Sequence, residues 1–247
     1  MIIFDYGQTL ITEEKFDGIR GTQAVLENCV NNPHNIPAEE IQLFADKLIG
    51  EIRRIDPESG AFTLLEVHNH VFQNYLYDYF GIERTVSPTR LEIVFHEAAS
   101  PGRPTDHVAE FMDYLNQRNI RTAVISNISF SGEALANRIN RLLPNNHFEF
   151  IMASSEYIFR KPHKRIFELA VRKANLKPED VWYCGDNAIC DVDGSQDAGL
   201  MPVWYKDAIE NENTIPRRDC LTINDWQELI DVLERLNEST GTDNVQK

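Results

Sequence analysis

The sequence feature that most constrains the fold is the alternation of short apolar runs with amphipathic segments from about residue 100 to residue 205. The apolar runs have the length of strands, and the segments between them carry apolar side chains at helical spacing. Strands that alternate with helices pair in parallel through right-handed crossovers. We therefore expect an α/β fold with a Rossmann-like parallel-sheet core. The predicted strands are MIIFDYG, RTAVISN, FEFIMASS, VWYCGDN and MPVWY.

A mainly helical block interrupts this alternation between residues 12 and 99. Its segments TQAVLENCVNN, AEEIQLFADKLIGEIRRID and TLLEVHNHVFQNYLYDYFGI have apolar residues at helical spacing, and prolines separate them. We predict an α/β core formed by residues 1–11 and 100–236 and an inserted helical cap formed by residues 12–99. The polar segment 237–247 predicts a disordered tail.

The composition argues against several classes of partner. The chain has 24 basic and 39 acidic residues and a formal net charge of −15, which opposes attraction to nucleic acid and to anionic membranes. No apolar run approaches the roughly 18 to 20 residues of a membrane helix. Four scattered cysteines without a C-x-x-C pair fit reduced thiols, so we expect a cytoplasmic protein.

Polar residues follow four of the predicted strands. Because the carboxyl ends of parallel strands share one edge of the sheet, these residues should converge on one site. Any one of them alone is more typical of a turn or a helix cap. The candidates are Asp5 to Thr9, Ser126 with Asn127, Lys161, and Asp186 with Asp191.

His68 and His70 fall within one predicted cap helix. Residues two apart on a helix do not face each other, so this pair does not predict a metal site.

Four segments of this chain resemble the motifs of the haloacid dehalogenase superfamily of hydrolases, in the subgroup with a helical cap between the first two motifs. They are FDYGQTL, VISN, RKPHKRIF and YCGDNAICDVDGSQDAGLMPVWY. The resemblance covers roughly residues 1–11 and 100–226, and the cap matches only by position and helical character.

The resemblance implies a catalytic role for each matching residue. Asp5 would attack phosphorus to give an aspartyl-phosphate, and Lys161 would pair with Asp5 and the phosphoryl group. Mg²⁺ would be held by the Asp5 carboxylate, the Gly7 carbonyl and Asp186. By the same resemblance, hydrogen bonds to the phosphoryl oxygens would come from Thr9, Ser126 and Asn127. Asp191 would lie outside the metal ligands and orient Lys161 and metal-bound water.

Gly7 departs from the family pattern. Phosphatases of the family have an aspartate two residues after the nucleophile, which protonates the leaving alcohol and then deprotonates water. Glycine keeps the backbone carbonyl but loses acid–base help, typically worth about 10² to 10⁴ in rate. Glu13 and Glu14 lie near the end of the first strand, but the sequence does not aim either at Asp5.

Four functions stay open at this point. The chain is a phosphohydrolase of a small phosphorylated metabolite, a phosphonate hydrolase that uses a cap lysine such as Lys15 or Lys47, a carbon–halogen hydrolase, or a phosphate-binding regulatory protein without turnover. The acid pair Asp186 and Asp191 argues against the carbon–halogen reaction, which needs no metal. We expect the first function, with Mg²⁺ as cofactor. Substrate identity and oligomeric state are left open.

Overall fold

The computed structural model of the protein describes residues 1–52, 63–206 and 214–242. Its strands are β1 (Ile2–Phe4), β2 (Ile11–Glu13), β3 (Val30–Asn31), β4 (Glu83–Arg84), β5 (Gly102–Pro104), β6 (Thr122–Ser126), β7 (Ile151–Ala153), β8 (Trp182–Gly185), β9 (Met201–Tyr205) and β10 (Leu221–Ile223). Its helices are α1 (Gly18–Asn28), α2 (Ala38–Glu51), α3 (Asn69–Phe80), α4 (Pro88–Ala99), α5 (Val108–Gln117), α6 (Gly132–Leu142), α7 (Lys164–Ala174), α8 (Gly194–Asp197) and α9 (Trp226–Thr242).

Six strands of the described chain form one parallel sheet in the order β10-β9-β8-β1-β6-β7. The chain builds the sheet outward from β1 to β7 and then returns to add β8 on the other side of β1. This reversal of strand order opens a crevice at the carboxyl end of β1, where open α/β sheets bind their ligands. The predicted α/β class with a parallel-sheet core is confirmed.

Apolar clusters cover both faces of the sheet. On one face Phe4 of β1 packs edge-on against Phe111 of α5 and Trp226 of α9, with ring centroids 6.0 and 5.6 Å apart. On the other face Ile3 packs with Phe167 of α7 and Tyr183 of β8. Burial of strand residues on both faces is typical of a parallel sheet and explains why these strands are nearly continuous apolar runs.

Helices α1 to α4 form the inserted block and have an apolar cluster of their own, which includes Val25, Ile41, Leu76 and Leu91. The antiparallel pair of β2 and β5 stands where the chain leaves and re-enters the core. We call this pair the flap. The arrangement supports the predicted cap, while its limits at residues 12 and 99 stay a prediction.

The structure differs from the sequence-based expectations in several elements. Helix α3 begins at Asn69 rather than near Thr63, because His68 caps it with its ring. Helix α9 continues to Thr242, and residues 237–242 are therefore helical where disorder was predicted. Each residue added to an established helix gains a hydrogen bond, which favours this extension. Residues 243–247 lie outside the described part. Helix α4 and strand β10 were not predicted.

Across the described ranges, none of the helices has both the length and the apolar character that a membrane span requires.

Candidate active site

Three strand ends bring predicted site residues to one edge of the sheet. Asp5 directly follows β1, Ser126 is the last residue of β6, and Asp186 directly follows β8. Strands β6 and β8 are the two parallel neighbours of β1. The three residues therefore lie at the crevice where the strand order reverses.

Lys161 links two carboxylates at this edge. Its Nζ lies 2.5 Å from Asp5 Oδ1 and 2.6 Å from Asp191 Oδ1, and it donates to the hydroxyl of Tyr183 at 2.8 Å. Burial opposes the charge, but the fields of Asp191 and Asp5 outweigh it, so the pKa of Lys161 is raised well above its ordinary value. Lys161 is therefore a fixed cation beside the Asp5 carboxylate.

Asn127 fixes the backbone of Lys161 by two reciprocal hydrogen bonds. The Lys161 N–H donates to Asn127 Oδ1 at 2.7 Å, and Asn127 Nδ2 donates to the Lys161 carbonyl at 2.9 Å. This pairing joins the end of β6 to the loop that carries the lysine. The structure thus gives Asn127 a positioning contact that sequence analysis did not predict, and its predicted contact with substrate stays a prediction.

Asp5, Asp186 and Asp191 form a carboxylate cluster in which one oxygen of each residue lies within 4.8 Å of the others. Burial, followed by repulsion from Asp191 and Asp5, raises the pKa of Asp186 to about 8. Burial also raises the pKa of Asp5 to about 6, against the opposing charge of Lys161. A divalent cation relieves this repulsion, and carboxylate oxygens suit Mg²⁺. The donor set therefore fits the cofactor that the resemblance implies.

Thr9 and Trp204 hold Asp186 in place. Thr9 is fully buried; its hydroxyl donates to Asp186 Oδ1 at 3.2 Å and accepts from the Asp186 N–H at 3.1 Å. Trp204 Nε1 donates to the Asp186 carbonyl at 2.9 Å. Thr9 was predicted to contact the phosphoryl group, which stays a prediction; in the structure its hydroxyl contacts Asp186.

Asp191 lies on a π-helical turn, Ala188–Asp193, that follows β8. Its Oδ2 accepts from the Asn187 N–H at 3.0 Å, while Oδ1 binds Lys161. A Cβ added to Gly185 would lie 2.4 Å from the Asp191 side chain, so only glycine allows this close approach. The contact of Asp191 with the Lys161 cation orients that side chain beside Asp5.

Glu13 of the flap lies beside Gly7. A Cβ built on Gly7 would lie 3.4 Å from Glu13 Oε2, which is ordinary van der Waals contact. Glu13 Oε1 has the Tyr6 hydroxyl at 3.0 Å, His96 Nε2 at 3.0 Å and Arg138 Nη2 at 3.1 Å. One oxygen is thus anchored, and the other would be in contact with a Cβ at Gly7.

The pKa of Glu13 is lowered. Burial alone would raise it, but the hydrogen bond and charge of His96, with Arg138 and Tyr6, outweigh burial. Glu13 is therefore an ionised carboxylate at neutral pH. Sequence analysis could not find this contact, because it depends on how the flap pairs.

Tyr183 was also missed as a site residue. The available signal was its place in the predicted buried strand VWYCGDN, because a buried tyrosine hydroxyl needs a hydrogen-bond partner. Its hydroxyl accepts from Lys161 and lies 3.3 Å from Asp191 Oδ1.

A family model described as haloacid dehalogenase-like hydrolase matches residues 2–204. The pyrimidine 5'-nucleotidase YjjG of Escherichia coli is 27% identical over 206 residues, which is 82% of this chain and 84% of the relative. A glyceraldehyde 3-phosphate phosphatase of Methanocaldococcus jannaschii is 24% identical over 245 residues, covering 96% and 98% of the two chains. A glyceraldehyde 3-phosphate phosphatase of Pyrococcus furiosus is 33% identical over 104 residues, but this match spans only 43% of the relative and 41% of this chain.

Solved structures share the fold. A 2-haloacid dehalogenase from Pseudomonas syringae pv. Tomato DC3000 superposes with a TM-score of 0.59 at 19% identity, covering 95% of this chain and 98% of the other. A HAD phosphatase from Thermococcus onnurineus gives a TM-score of 0.58 at 14% identity, covering 94% and 96%. At these identities the superpositions establish the fold, and they do not separate dehalogenases from phosphatases.

Proposed function

Since the chain belongs to the haloacid dehalogenase-like hydrolase family, we propose that it is a Mg²⁺-dependent phosphohydrolase that acts on a small phosphorylated metabolite through Asp5. Relatives named as phosphatases and as a nucleotidase support phosphate release from a small substrate. The net charge of −15 and the acidic site make nucleic acid and anionic membranes unsuitable partners. We also propose a cytoplasmic location, which the four free cysteines support.

The observation that carries the proposal is the position of Lys161 between Asp5 and Asp191, beside Asp186. A carboxylate attacks a phosphoryl group only where positive charge offsets the repulsion between them. Lys161 supplies one such charge permanently. The carboxylates of the cluster could bind a metal cation, which would supply a second positive charge.

In the proposed reaction, Asp5 forms a bond to phosphorus while the bond to the leaving oxygen breaks. Lys161 neutralises charge on the phosphoryl oxygens, and Ser126, at the end of β6, donates to them. We assign Asn127 and Thr9 to positioning, of Lys161 and Asp186 respectively, because their side chains bind those residues. Water then attacks the aspartyl-phosphate and frees Asp5.

Mg²⁺ would be held by the Asp5 carboxylate, the Gly7 carbonyl and Asp186, with Asp191 outside them. When bound, the ion supplies positive charge against the phosphoryl oxygens. The raised pKa values of Asp5 and Asp186 make ion binding compete with protons, so affinity should increase with pH.

We further propose that Glu13 replaces part of the function lost at Gly7. Its Oε2 would lie 3.4 Å from a Cβ at Gly7, and its lowered pKa keeps it ionised. An ionised carboxylate can take the proton of the attacking water, but it cannot protonate a leaving alcohol. The enzyme should therefore favour substrates with good leaving groups, such as acyl or aryl phosphates.

The competing functions receive less support from the structure. Lys47 is 68% exposed and pairs with Glu51 at 3.7 Å, as a surface lysine does. Lys15 is exposed and lines a cap cavity of about 780 Å³, so it is the lysine on which phosphonate cleavage would depend. The clustered acids argue against carbon–halogen cleavage, in which no metal is needed.

The test is phosphate release by the purified protein with Mg²⁺ or with EDTA. The panel contains acetyl phosphate, p-nitrophenyl phosphate, glycerol phosphate, phosphonoacetaldehyde and a 2-haloacid. Asp5→Asn removes the nucleophile, and Asp106→Asn, at an exposed site, is the matched control. We expect Mg²⁺-dependent turnover of the first two substrates, lost in Asp5→Asn and kept in Asp106→Asn. Halide release, or phosphate release only from the phosphonate, would overturn the proposal, as would silence from a folded protein.

The Glu13 step is tested by a burst experiment. If Glu13→Gln slows only attack by water, p-nitrophenyl phosphate should give a burst of about one equivalent of nitrophenol, and steady turnover should fall by about 10² to 10⁴. Glu14→Gln changes the neighbouring, 63% exposed carboxylate and should behave as wild type. Unchanged turnover in Glu13→Gln would exclude the role.

A further inference from the structure

Two histidines and a buried glutamate meet at the junction of cap and core. His68, His70 and Glu92 each offer one ligand atom, and these atoms lie within 4.8 Å of one another. The prediction that His68 and His70 face apart was wrong because His68 is the N-cap of α3, with extended backbone, and is not within the helix. Their ring centroids are 4.6 Å apart.

Glu92 is a carboxylate buried to 0% exposure. Oε2 accepts from the N–H of Ser131 at 3.0 Å and from its hydroxyl at 2.5 Å, and Oε1 accepts from Asn69 Nδ2 at 3.1 Å. These donors are all neutral. A buried charge is costly unless it is paired or binds a metal ion, and the His70 imidazole beside it compensates the charge only when it is protonated.

The geometry between His70 and Glu92 is that of two ligands rather than of a hydrogen bond. His70 Nε2 lies 3.1 Å from Glu92 Oε2, yet this nitrogen is buried and makes no hydrogen bond of acceptable angle within the described residues. Ligands at about 2.0 to 2.1 Å from a tetrahedral Zn²⁺ lie about 3.3 Å from each other. The separation of the two atoms is close to that value.

His68 brings a third donor. Its Nε2 lies 3.4 Å from Oε1 of Glu156, a core residue whose Oε1 also accepts from the Gly132 N–H at 2.8 Å. His68 Nδ1 accepts from the His70 N–H at 3.1 Å. A neutral imidazole that binds an ion through Nε2 carries its proton on Nδ1, so this cap bond would be lost on binding. A cap bond contributes far less to stability than the binding of a structural zinc ion does.

We infer that His68, His70 and Glu92 bind a Zn²⁺-type ion, which joins the start of α3 to the side of α4. Imidazole nitrogens select a borderline ion over Mg²⁺. The ion would fix the part of the cap that contacts the core, where Asn69 donates its N–H to the Ser129 carbonyl at 2.8 Å. The site is separate from the carboxylate cluster and does not depend on the proposed function.

The test uses metal-free protein carrying Asp186→Asn, which removes one acid of the other cluster. Zn²⁺ titration by calorimetry and the visible spectrum of added Co²⁺ report binding without any activity assay. His70→Gln is made in this background, and His147→Gln, at an exposed position, is the matched control. Thermal melts without metal check that the variants fold.

We expect one equivalent of Zn²⁺ and a tetrahedral Co²⁺ spectrum in the Asp186→Asn protein and in its His147→Gln derivative. His70→Gln should lower the affinity by at least about tenfold and remove the rise in Tm caused by Zn²⁺. If His70→Gln melts early without metal, His68→Gln is the deciding variant. No stoichiometric binding, or equal binding in the histidine variants, would overturn the inference.

Discussion

Replacing Gly7 by aspartate tests the geometry between Gly7 and Glu13. The backbone of Gly7 lies outside the left-handed region, so a side chain is tolerated there, and its Cβ would be in ordinary contact with Glu13 Oε2 at 3.4 Å. For an estimate we take the separation of the new carboxylate from that of Glu13 as about 4 Å. With an effective dielectric constant of about 20, repulsion between the two charges is about 332/(20 × 4), or about 4 kcal/mol.

This repulsion corresponds to a rise of roughly 3 pKa units. The rise should fall on the new carboxyl, because His96 and Arg138 hold Glu13 ionised. The pKa of the new carboxyl is therefore raised from the ordinary aspartate range toward neutrality, so that part of it stays protonated and can act as an acid. Gly7→Asp should therefore raise kcat for glycerol phosphate by at least about tenfold, as expected when a general acid is restored.

The assay is the pH profile of kcat for glycerol phosphate and for p-nitrophenyl phosphate. The gain should be confined to glycerol phosphate and should fade as rising pH ionises the new acid. Adding Glu13→Gln removes the repulsion and should shift the falling limb of the pH profile toward lower pH. Gly7→Asn has the same size without the charge and should show no gain. An equal gain in Gly7→Asn, or an unshifted limb in the double variant, would refute the geometry.

Three other outcomes follow from the site. Lys161→Met leaves the buried carboxylates unpaired and should lower the free energy of unfolding of metal-free protein by about 3 to 5 kcal/mol in denaturant titration, whereas Lys164→Met, at a 63% exposed site, should change it little. Because the pKa values of Asp5 and Asp186 are raised to about 6 and about 8, the folded state binds more protons than the unfolded state from about pH 4 to about pH 8. The Tm in EDTA should therefore fall as pH rises through this window, and Mg²⁺ should reverse the fall. A flat profile of Tm against pH would contradict the pKa values. Thr9→Val removes the hydroxyl that holds Asp186 and should weaken Mg²⁺ binding by about 10- to 100-fold in calorimetry; unchanged affinity would remove that role.

In the proposed role of Glu13, a departure from a family motif is offset by a residue outside that motif. The flap carries it back over Gly7, and Arg138 of α6, 2% exposed at its side chain, anchors it from the core. Tyr6 and His96 complete this anchor. The absence of an acid at Gly7 therefore does not leave the site without a second carboxylate.

The sequence by itself determined the fold class and the edge at which the chemistry lies. Apolar runs such as RTAVISN and VWYCGDN are local signals, because a strand buried on both faces must be apolar along its length. Since parallel strands end at one edge, the positions of Asp5, Lys161 and Asp186 in the chain were sufficient to predict that they meet.

Contacts between side chains of different elements could not be predicted from the sequence, because they depend on how those elements pack. The approach of Glu13 to Gly7 depends on pairing of β2 with β5, and the meeting of His70 with Glu92 depends on how α3 packs beside α4. Helical periodicity placed His68 inside a helix, and its cap geometry turned the ring toward His70 instead. Local patterns fix the period of an element, whereas the direction of a side chain at its end depends on the residues that the fold brings there.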